Sequence, residues 1–449
     1  MVNKKKAFVL GMARSGYEAA KLLANKGYYV LINDLNKEQR SEQINELESL
    51  GVKLVLGSHP EDIFDHTFDM LVKNPGIPNE HLYVKKANEF DIPVINELEL
   101  AFRYFPKGVK IIGVTGTNGK TTTTTIIYRL LKEASKSAYL MGNIGFPVCS
   151  FIPFLKAGDI AVMEVSDHQL CNVIEFKTSI SVLTNISEAH LDFHGSYEAY
   201  KNMKRRIFNH HTQQDTAVLN YDDKESLELA KDIRSVKKYF SSGQINDTGC
   251  SITDGSIFYY SYYKAEKIID LNDIKLKGSH NYENIMAAIT VVKEFGVDNE
   301  SIVRVLKTFG GVEHRLEYVA TINDIEFYND SKSTNITSTQ IALSSFEKPT
   351  ILMMGGLDRG HSFEELKGYL KNVRLIVAYG ETRKRIADFS EDCCIPCQDF
   401  ETLEEATKEA YNSARPGDVV LLSPACASWD QFKNFEIRGD MFKKYVFQL

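Results

Sequence analysis

At 449 residues the chain is well past the size at which one hydrophobic core stops growing, and 43% hydrophobic with 25% charged residues is the balance of a folded, soluble protein. A net charge of −7 excludes a broad nucleic-acid surface, which would need basic stripes. No apolar run approaches the ~20 residues of a membrane span, Arg14 interrupts the apolar stretch after the basic start, and seven irregularly spaced cysteines suit a reducing cytoplasm. The densest cysteine group, "CCIPC" from Cys393 to Cys397, has no second pair or nearby histidine and reads as incidental.

From Ala7 to Asp34 the pattern predicts strand, glycine turn, helix and strand, a βα unit of the doubly wound, Rossmann-like kind. Its turn reads Gly11-x-Ala13-x-x-Gly16, and Asp34 ends the second strand where a ribose-binding acid sits in dinucleotide folds. Ala13 replaces the glycine that lets a backbone approach a pyrophosphate, so a nicotinamide cofactor and some other nucleotide or diphosphate both stay open. A further strand runs into the turn Asn74 to Pro78, and Pro106-Lys107-Gly108 reads as a linker.

Next comes "KIIGVTGTNGKTTTTTIIYRLLKEAS", a buried strand, a glycine loop and a helix with Ile126, Ile127, Leu130 and Leu131 on one face. Val114 stands where the usual phosphate-loop spacing has glycine, so the strict pattern fails. Gly113, Gly116 and Gly119 nonetheless offer backbone N–H groups, Lys120 a cation for outer phosphates and Thr121 a hydroxyl for Mg²⁺. Five consecutive threonines are poor helix formers, which points to function at Thr121. Glu164 ends the strand "AVME" and is either an acid for the metal or a salt-bridged strand-end carboxylate. "NISEAHLDFHG" holds Glu188, His190, Asp192 and His194, a metal or substrate site or a solvated polar loop. From "FGGVEHRLE" onward, strands such as "TILMMGG", "RLIVAYG" and "DVVLLSPA" alternate with helical patterns, giving another α/β domain.

The ordered series "GVTGTNGKTT", "GNIG", "EVS", "NISEAHLDFHGSYEAYKNMKRRIF", "GSHNYENIMAA", "VEHRLE", "NDSKSTN" and "LLSPACASWDQFKNFEIRG" resembles the Mur ligases along essentially the whole chain, and their D-glutamate-adding branch above all. The resemblance implies three α/β domains. A Rossmann-like domain over 1–107 would bind the UDP substrate, a P-loop ATPase-like one with a mostly parallel sheet over 108–311 would bind ATP, and a Rossmann-like one over 312–449 would bind the amino acid. It further implies ATP-dependent joining of D-glutamate to UDP-N-acetylmuramoyl-L-alanine in peptidoglycan precursor synthesis, by a cytoplasmic monomer using two Mg²⁺ ions. Another Mur or folylpolyglutamate-type ligase and, from a different class, an NAD(P)-dependent or nucleotide-sugar binding protein are the alternatives.

Carried over residue by residue, ATP would meet Gly116, Thr117, Asn118, Gly119, Lys120 and Thr121, with Asn281 and Asn284 at adenine and Arg315, Asp330 and Lys332 reaching the nucleotide from the third domain. Thr121 and Glu164 would hold one Mg²⁺, and His190 with a CO₂-carbamylated Lys204 the other. Lys204 by itself is one of several helix cations. Lys120, Lys204 and His190 would be the catalytic groups. The UDP substrate would meet Arg14, Ser15, Gly16, Asp34, Asn74, Gly76 and Asn143, and the amino acid Thr334, Arg359, Ser428 and Phe435. One departure is visible: after "EVS" the resemblance leads to a second serine and an aromatic residue, where this chain has Asp167 and His168.

Overall fold

A computed structural model describes residues 4–449 apart from Asn246, Tyr263 and Arg359, with the backbone alone at Leu191 and Asp192. The described residues form three sheets, within an α/β alternation that agrees with the expected class. In the first, β1 (Lys6–Leu10), β2 (Tyr29–Asp34), β3 (Lys53–Leu56), β4 (Met70–Lys73) and β5 (Val94–Ile95) pair in parallel in the order β3-β2-β1-β4-β5. Their sequences are near-continuous apolar runs because helices cover a parallel sheet on both faces. The order reverses between β1 and β4, so the turns after these two strands flank one crevice.

The second sheet contains β6 (Lys110–Thr115), β7 (Ala138–Gly142), β8 (Ile160–Glu164), β9 (Ile180–Leu183), β10 (Thr216–Asn220), β11 (Val236–Ser241), β12 (Gly249–Thr253), β13 (Ser256–Ser261) and β14 (Lys264–Asp270). Its order is β14-β13-β12-β11-β10-β9-β6-β8-β7, parallel except at the β12-β13-β14 edge. Strand β6 lies between β8 and β9, with Val114 opposite Glu164 and Thr115 opposite Leu183. The loop after β6 therefore opens between the ends of two neighbouring strands.

These two sheets share one compact unit, residues 1–309. Buried acids join them. Glu99, fully buried on the helix Glu97–Phe102, accepts from the backbone N–H groups of Ile174 (2.9 Å), Glu175 (3.0 Å) and Phe176 (3.0 Å). Glu97 on the same helix accepts from the Cys149 N–H, and Asn96 donates to the Gln169 carbonyl. Removing either acid would leave buried donors unpartnered, the costly half of any hydrogen-bond exchange.

The second unit is residues 310–449. Its strands β15 (Glu317–Ile322), β16 (Ile325–Asn329), β17 (Thr350–Gly355), β18 (Val373–Tyr379), β19 (Cys397–Phe400) and β20 (Val419–Leu422) run in the order β15-β16-β20-β17-β18-β19, with only the β15-β16 pair antiparallel. Fully buried Arg438 braces it by donating to the Ser331 hydroxyl (2.9 Å) and carbonyl (2.8 Å) and to the Cys426 carbonyl (3.0 Å).

Candidate active site

The turn after β1 leads into the helix Arg14–Asn25, which has no side-chain cap at Ala13. Gly11 sits at φ 94°, and a Cβ on Gly16 would overlap the Gly11 carbonyl, so both glycines are required by backbone geometry. Asn74, after β4, donates to Ser15 Oγ (3.3 Å) and accepts from the Gly76 N–H (3.1 Å), which ties the two expected substrate turns together. Asp34 accepts from the Met12 N–H at 2.5 Å and the Asn36 N–H at 2.7 Å. Both carboxylate oxygens thus shape their own loops, which weakens the ribose-acid reading that favoured nicotinamide.

Strand β6 delivers the loop 116–119 to the helix Lys120–Glu133, which also starts without a side-chain cap. Helices nearby are capped by Asn96, Ser166 and Ser196. An uncapped start leaves a first turn whose N–H groups and dipole favour an anion. Gly116 and Gly119 have φ 143° and 81°, and Cβ atoms there would overlap Thr184 Oγ1 and Asn284 Oδ1. Lys120 Nζ donates to the carbonyls of Gly116 (2.9 Å) and Thr117 (2.8 Å), folding the cation over the loop.

The structure refines the loop in two places. The N–H groups of Thr117 and Asn118 donate to Asn185 O and Oδ1, both at 2.9 Å, so these residues brace the loop against the end of β9. Asn284, expected at adenine, is buried and accepts from Thr123 Oγ1 (3.1 Å), whereas Asn281 is half-buried and donates to the Lys277 carbonyl (2.8 Å). The threonine run has a structural role as well. Thr124 and Thr125 hydroxyls donate back to the carbonyls of Lys120 (2.7 Å) and Thr121 (2.8 Å), which satisfies buried hydroxyls within the helix.

Glu164, at the end of β8, is 2% exposed. Asn143 donates to its Oε1 at 2.6 Å, while Oε2 is buried with no hydrogen-bond partner among the described residues. A buried carboxylate oxygen without a donor is costly unless a cation meets it, and the Thr115 hydroxyl at the end of the adjacent strand β6 is likewise unpartnered among the described residues. This donor set, a carboxylate with hydroxyl oxygens at adjoining strand ends, fits a hard cation such as Mg²⁺.

Two residues past Glu164, Ser166 closes a capping box with Gln169 (Oγ from the Gln169 N–H at 3.2 Å) and sets Asp167 at the start of the helix Asp167–Cys171. Asp167 is 3% exposed and gathers three groups. Its Oδ1 accepts from Lys204 Nζ at 3.2 Å, and its Oδ2 lies 2.7 Å from His194 Nε2 and 3.1 Å from His168 Nδ1. Burial disfavours its charge, but the His168 hydrogen bond, the Lys204 charge and the His194 hydrogen bond outweigh it and hold the carboxyl well below the usual range. Lys204, on the helix Tyr197–Arg205, is fully buried with Nζ 4.9 Å from the Tyr200 ring. Burial pushes its amine down, opposed by Asp167 and more distantly by Glu164.

His190 is exposed overall, with φ 52°, and partial desolvation of its ring, opposed by Asp167, lowers its pKa from the ordinary value. Arg14, Ser15, Asn74, Gly76, Lys120, Asn143, Asp167 and His190 line one cleft of about 590 Å³ in the first unit. Asp167 is the cleft residue that sequence reasoning left without a role. Its mismatch to the motif was the available signal, and its partners lie 27 and 37 positions away along the chain.

In the second unit the remaining expected residues occur at the carboxyl ends of adjacent parallel strands: Asp330, Lys332 and Thr334 after β16, and Ser428 and Phe435 after β20. Arg359 lies outside the described residues. Asp330 accepts from the Leu316 N–H (3.2 Å) and Ser423 Oγ (2.8 Å), and burial pushes its pKa up to about 6. Ser331 Oγ donates to the Phe435 carbonyl (2.8 Å), and Ser428 is buried. Arg315 sits between His314 and Leu316, both at positive φ, in a tight turn beside Asp330.

The chain matches the Mur ligase MurD-like N-terminal domain over residues 5–96, the Mur ligase middle domain over 114–292 and the Mur ligase glutamate ligase domain over 314–426. A protein of Geobacillus sp. (strain WCH70) named UDP-N-acetylmuramoylalanine--D-glutamate ligase is 46% identical over 448 residues, covering 99% of this chain and 98% of its own. A protein of the same name from Bacillus pumilus (strain SAFR-032) is 45% identical over 451 residues, covering 100% and 99%. Among solved structures, the UDP-N-acetylmuramate-alanine ligase MurC of Thermotoga maritima shares the fold with a TM-score of 0.57 at 19% identity, over 99% of this chain and 100% of its own. MurF from Acinetobacter baumannii does so with 0.58 at 18%, over 93% and 91%. By its sequence and its three sheets, this chain belongs to the Mur ligase family.

Proposed function

We propose that the chain is an ADP-forming ligase that uses ATP to join D-glutamate to UDP-N-acetylmuramoyl-L-alanine in peptidoglycan precursor synthesis. The observation that carries this reading is the single cleft in which the diphosphate-type turns, at Arg14, Ser15, Asn74 and Gly76, meet Lys120, Asn143 and His190. A UDP substrate held by the first set would present its free carboxylate to the phosphate loop. We assign residues 1–107 to that substrate, 108–311 to ATP and 312–449 to the amino acid.

The carboxylate oxygen attacks the terminal phosphorus of ATP, the bond to ADP breaks, and an acyl phosphate forms. The D-glutamate amine then attacks the carbonyl carbon, loses a proton, and expels phosphate. The first turn of the helix Lys120–Glu133 receives the phosphates, with Gly116 and Gly119 permitting close approach. Lys120 exchanges its loop carbonyls for phosphate oxygens as charge builds in transfer. Mg²⁺ held by Thr121 and Glu164, and a second ion at His190, would supply charge neutralisation for the transferring group. Asn143 orients Glu164, and His190, whose pKa is lowered by desolvation, offers a ring nitrogen to the second ion.

Asn281 and Asn284 serve the adenine side, Asn284 through the loop it supports. Arg315, Asp330 and Lys332 act on the nucleotide, and Thr334, Arg359, Ser428 and Phe435 on D-glutamate. Carbamylation of Lys204 by CO₂, which the resemblance implies, needs a neutral amine; burial favours that form and Asp167 opposes it. A cytoplasmic monomer completes the proposal. No helix among the described residues is long and apolar enough to cross a membrane.

The test is phosphate release from ATP with UDP-N-acetylmuramoyl-L-alanine and a panel of amino acids. D-glutamate alone should support stoichiometric release and an amide product. Equal release with other amino acids, or none with D-glutamate, would overturn the assignment.

A further inference from the structure

In the second unit, the loop that follows β17 is held by one short stretch of chain, residues 380–385, which runs from the end of β18 into the helix Arg383–Asp392. Fully buried Thr382 accepts from the Gly356 N–H at 3.2 Å, where the loop begins. Glu381 accepts from the Asp358 N–H at 3.3 Å. Arg385 then holds the loop at two points: one guanidinium nitrogen donates to Asp358 Oδ1, and the other donates to the His361 carbonyl at 2.7 Å. A planar guanidinium is preorganised for such a span, whereas a lysine ammonium is a point charge on a flexible stem.

Asp358 carries the constraint into the loop. Its Oδ1 also accepts from the Gly360 N–H at 2.8 Å, closing a turn in which Gly360 has φ 74°. That N–H and the Arg385 charge hold the carboxyl below its ordinary value, so both bonds are made to an ionised group. The Arg385 guanidinium also lies 5.6 Å from the centroid of the buried Phe363 ring. With side chains 38% and 34% exposed, the Arg385–Asp358 pair adds little to global stability. Its effect falls on the conformation of the loop, where one side chain ties a carboxylate, a carbonyl and a ring together.

The same loop borders residues assigned above to the amino acid. The Leu357 N–H donates to the Ala427 carbonyl at 2.9 Å, next in the chain to Ser428, and Arg359 stands in the sequence between Asp358 and Gly360. We propose that Arg385 is a positioning residue for the amino-acid site, whose guanidinium fixes the loop after β17, through Asp358 and His361, in the form that binds D-glutamate. A loop ordered beforehand spares binding the cost of ordering it, so the gain is in affinity. The role in D-glutamate binding rests on the ligase reading above, whereas the hold on the loop is read without turnover.

The test is steady-state kinetics of the full chain with each substrate varied in turn, together with hydrogen exchange at the Gly360 amide. Arg385→Ala should raise KM for D-glutamate about fivefold, with kcat and the KM values for ATP and the UDP substrate within about twofold. Asp358→Asn should do much the same, and the double variant no more than either alone. Arg385→Lys, which keeps the charge without the fork, should fall between wild type and Arg385→Ala. Exchange at Gly360 should quicken several-fold in Arg385→Ala, while Leu357, bonded to Ala427, exchanges as in the wild type. An unchanged KM for D-glutamate in folded Arg385→Ala, effects that add in the double variant, or KM values that rise alike for all three substrates would overturn the proposal. Should Arg385→Ala not fold, Arg385→Lys and Asp358→Asn are judged by the same KM and exchange criteria. A wild type inactive with D-glutamate sinks the ligase reading, and unchanged Gly360 exchange in the variants sinks the hold of Arg385 on the loop.

Discussion

Two strand–turn–helix units border the same cleft, the one after β1 and the one after β6, and their backbones are closely alike. Each has a left-handed glycine, at Gly11 and at Gly119, and each opens a helix with no side-chain cap. The charges around them differ. The first turn is closed by Asp34, whose oxygens accept from Met12 and Asn36 and leave the loop set for binding. The second has Lys120 folded over its carbonyls and Glu164 with a buried oxygen that accepts from no donor among the described residues. Anion binding needs only the N–H groups of a helix start, whereas phosphoryl transfer also needs groups that meet the charge as it moves. In the proposed function the same local fold thus holds a substrate in one place and reacts in the other.

The comparison breaks most sharply at Lys120. Lys120→Ala should lower kcat by roughly two to three orders of magnitude, the usual effect of removing one preorganised electrostatic donor, while binding of the UDP substrate measured by calorimetry stays within about twofold. Glu164→Gln should weaken Mg²⁺ by roughly 10- to 100-fold, as loss of a direct ligand does at least as much as loss of its supports; titration of Mn²⁺ by paramagnetic resonance reads this apart from turnover. On the binding side, Asn74→Ala should raise KM for the UDP substrate about tenfold with kcat nearly unchanged, the signature of lost uniform binding. A fall in kcat as large as that of Lys120→Ala would erase the distinction between the two turns.

The smallest effect concerns the joint between the two sheets. Burial pushes the Glu97 carboxyl up to about 7 from its ordinary value of about 4.5, and the Cys149 N–H only partly offsets this. A raised carboxyl pKa means that the folded state is favoured below the unfolded pKa and loses stability as pH climbs from about 4.5 through about 7. Glu97→Gln keeps an acceptor for Cys149 and removes the charge. It should raise the melting temperature at pH 8 by an amount equivalent to at most about 3 kcal/mol and change little at pH 4.5, as thermal unfolding across that range would record.

Much of this was readable from local sequence. The glycine turns, the loop from Gly116 to Thr121 and the strand ending in Glu164 follow from short-range pattern, since periodicity and turn chemistry act over a few residues. What escaped depends on contacts between distant positions. Asp167 was visible as a mismatch, but its pairing with Lys204 and His194 exists only once two helices pack together. The brace from Asn185 to Thr117 and Asn118, and the buried acids Glu97 and Glu99 that fasten the first sheet to the second, are of the same kind. The threonine run carries more than its low helix propensity suggested: beyond Thr121, Thr124 and Thr125 are accommodated by donating to carbonyls one turn back.

The central claim, that the phosphoryl group of ATP passes to the substrate's carboxylate, is tested most directly by labelling both oxygens of that carboxylate with ¹⁸O and analysing the phosphate released in the presence of D-glutamate. Transfer through an acyl phosphate predicts one ¹⁸O in each released phosphate and one in the amide product. Unlabelled phosphate accompanying amide formation would contradict it.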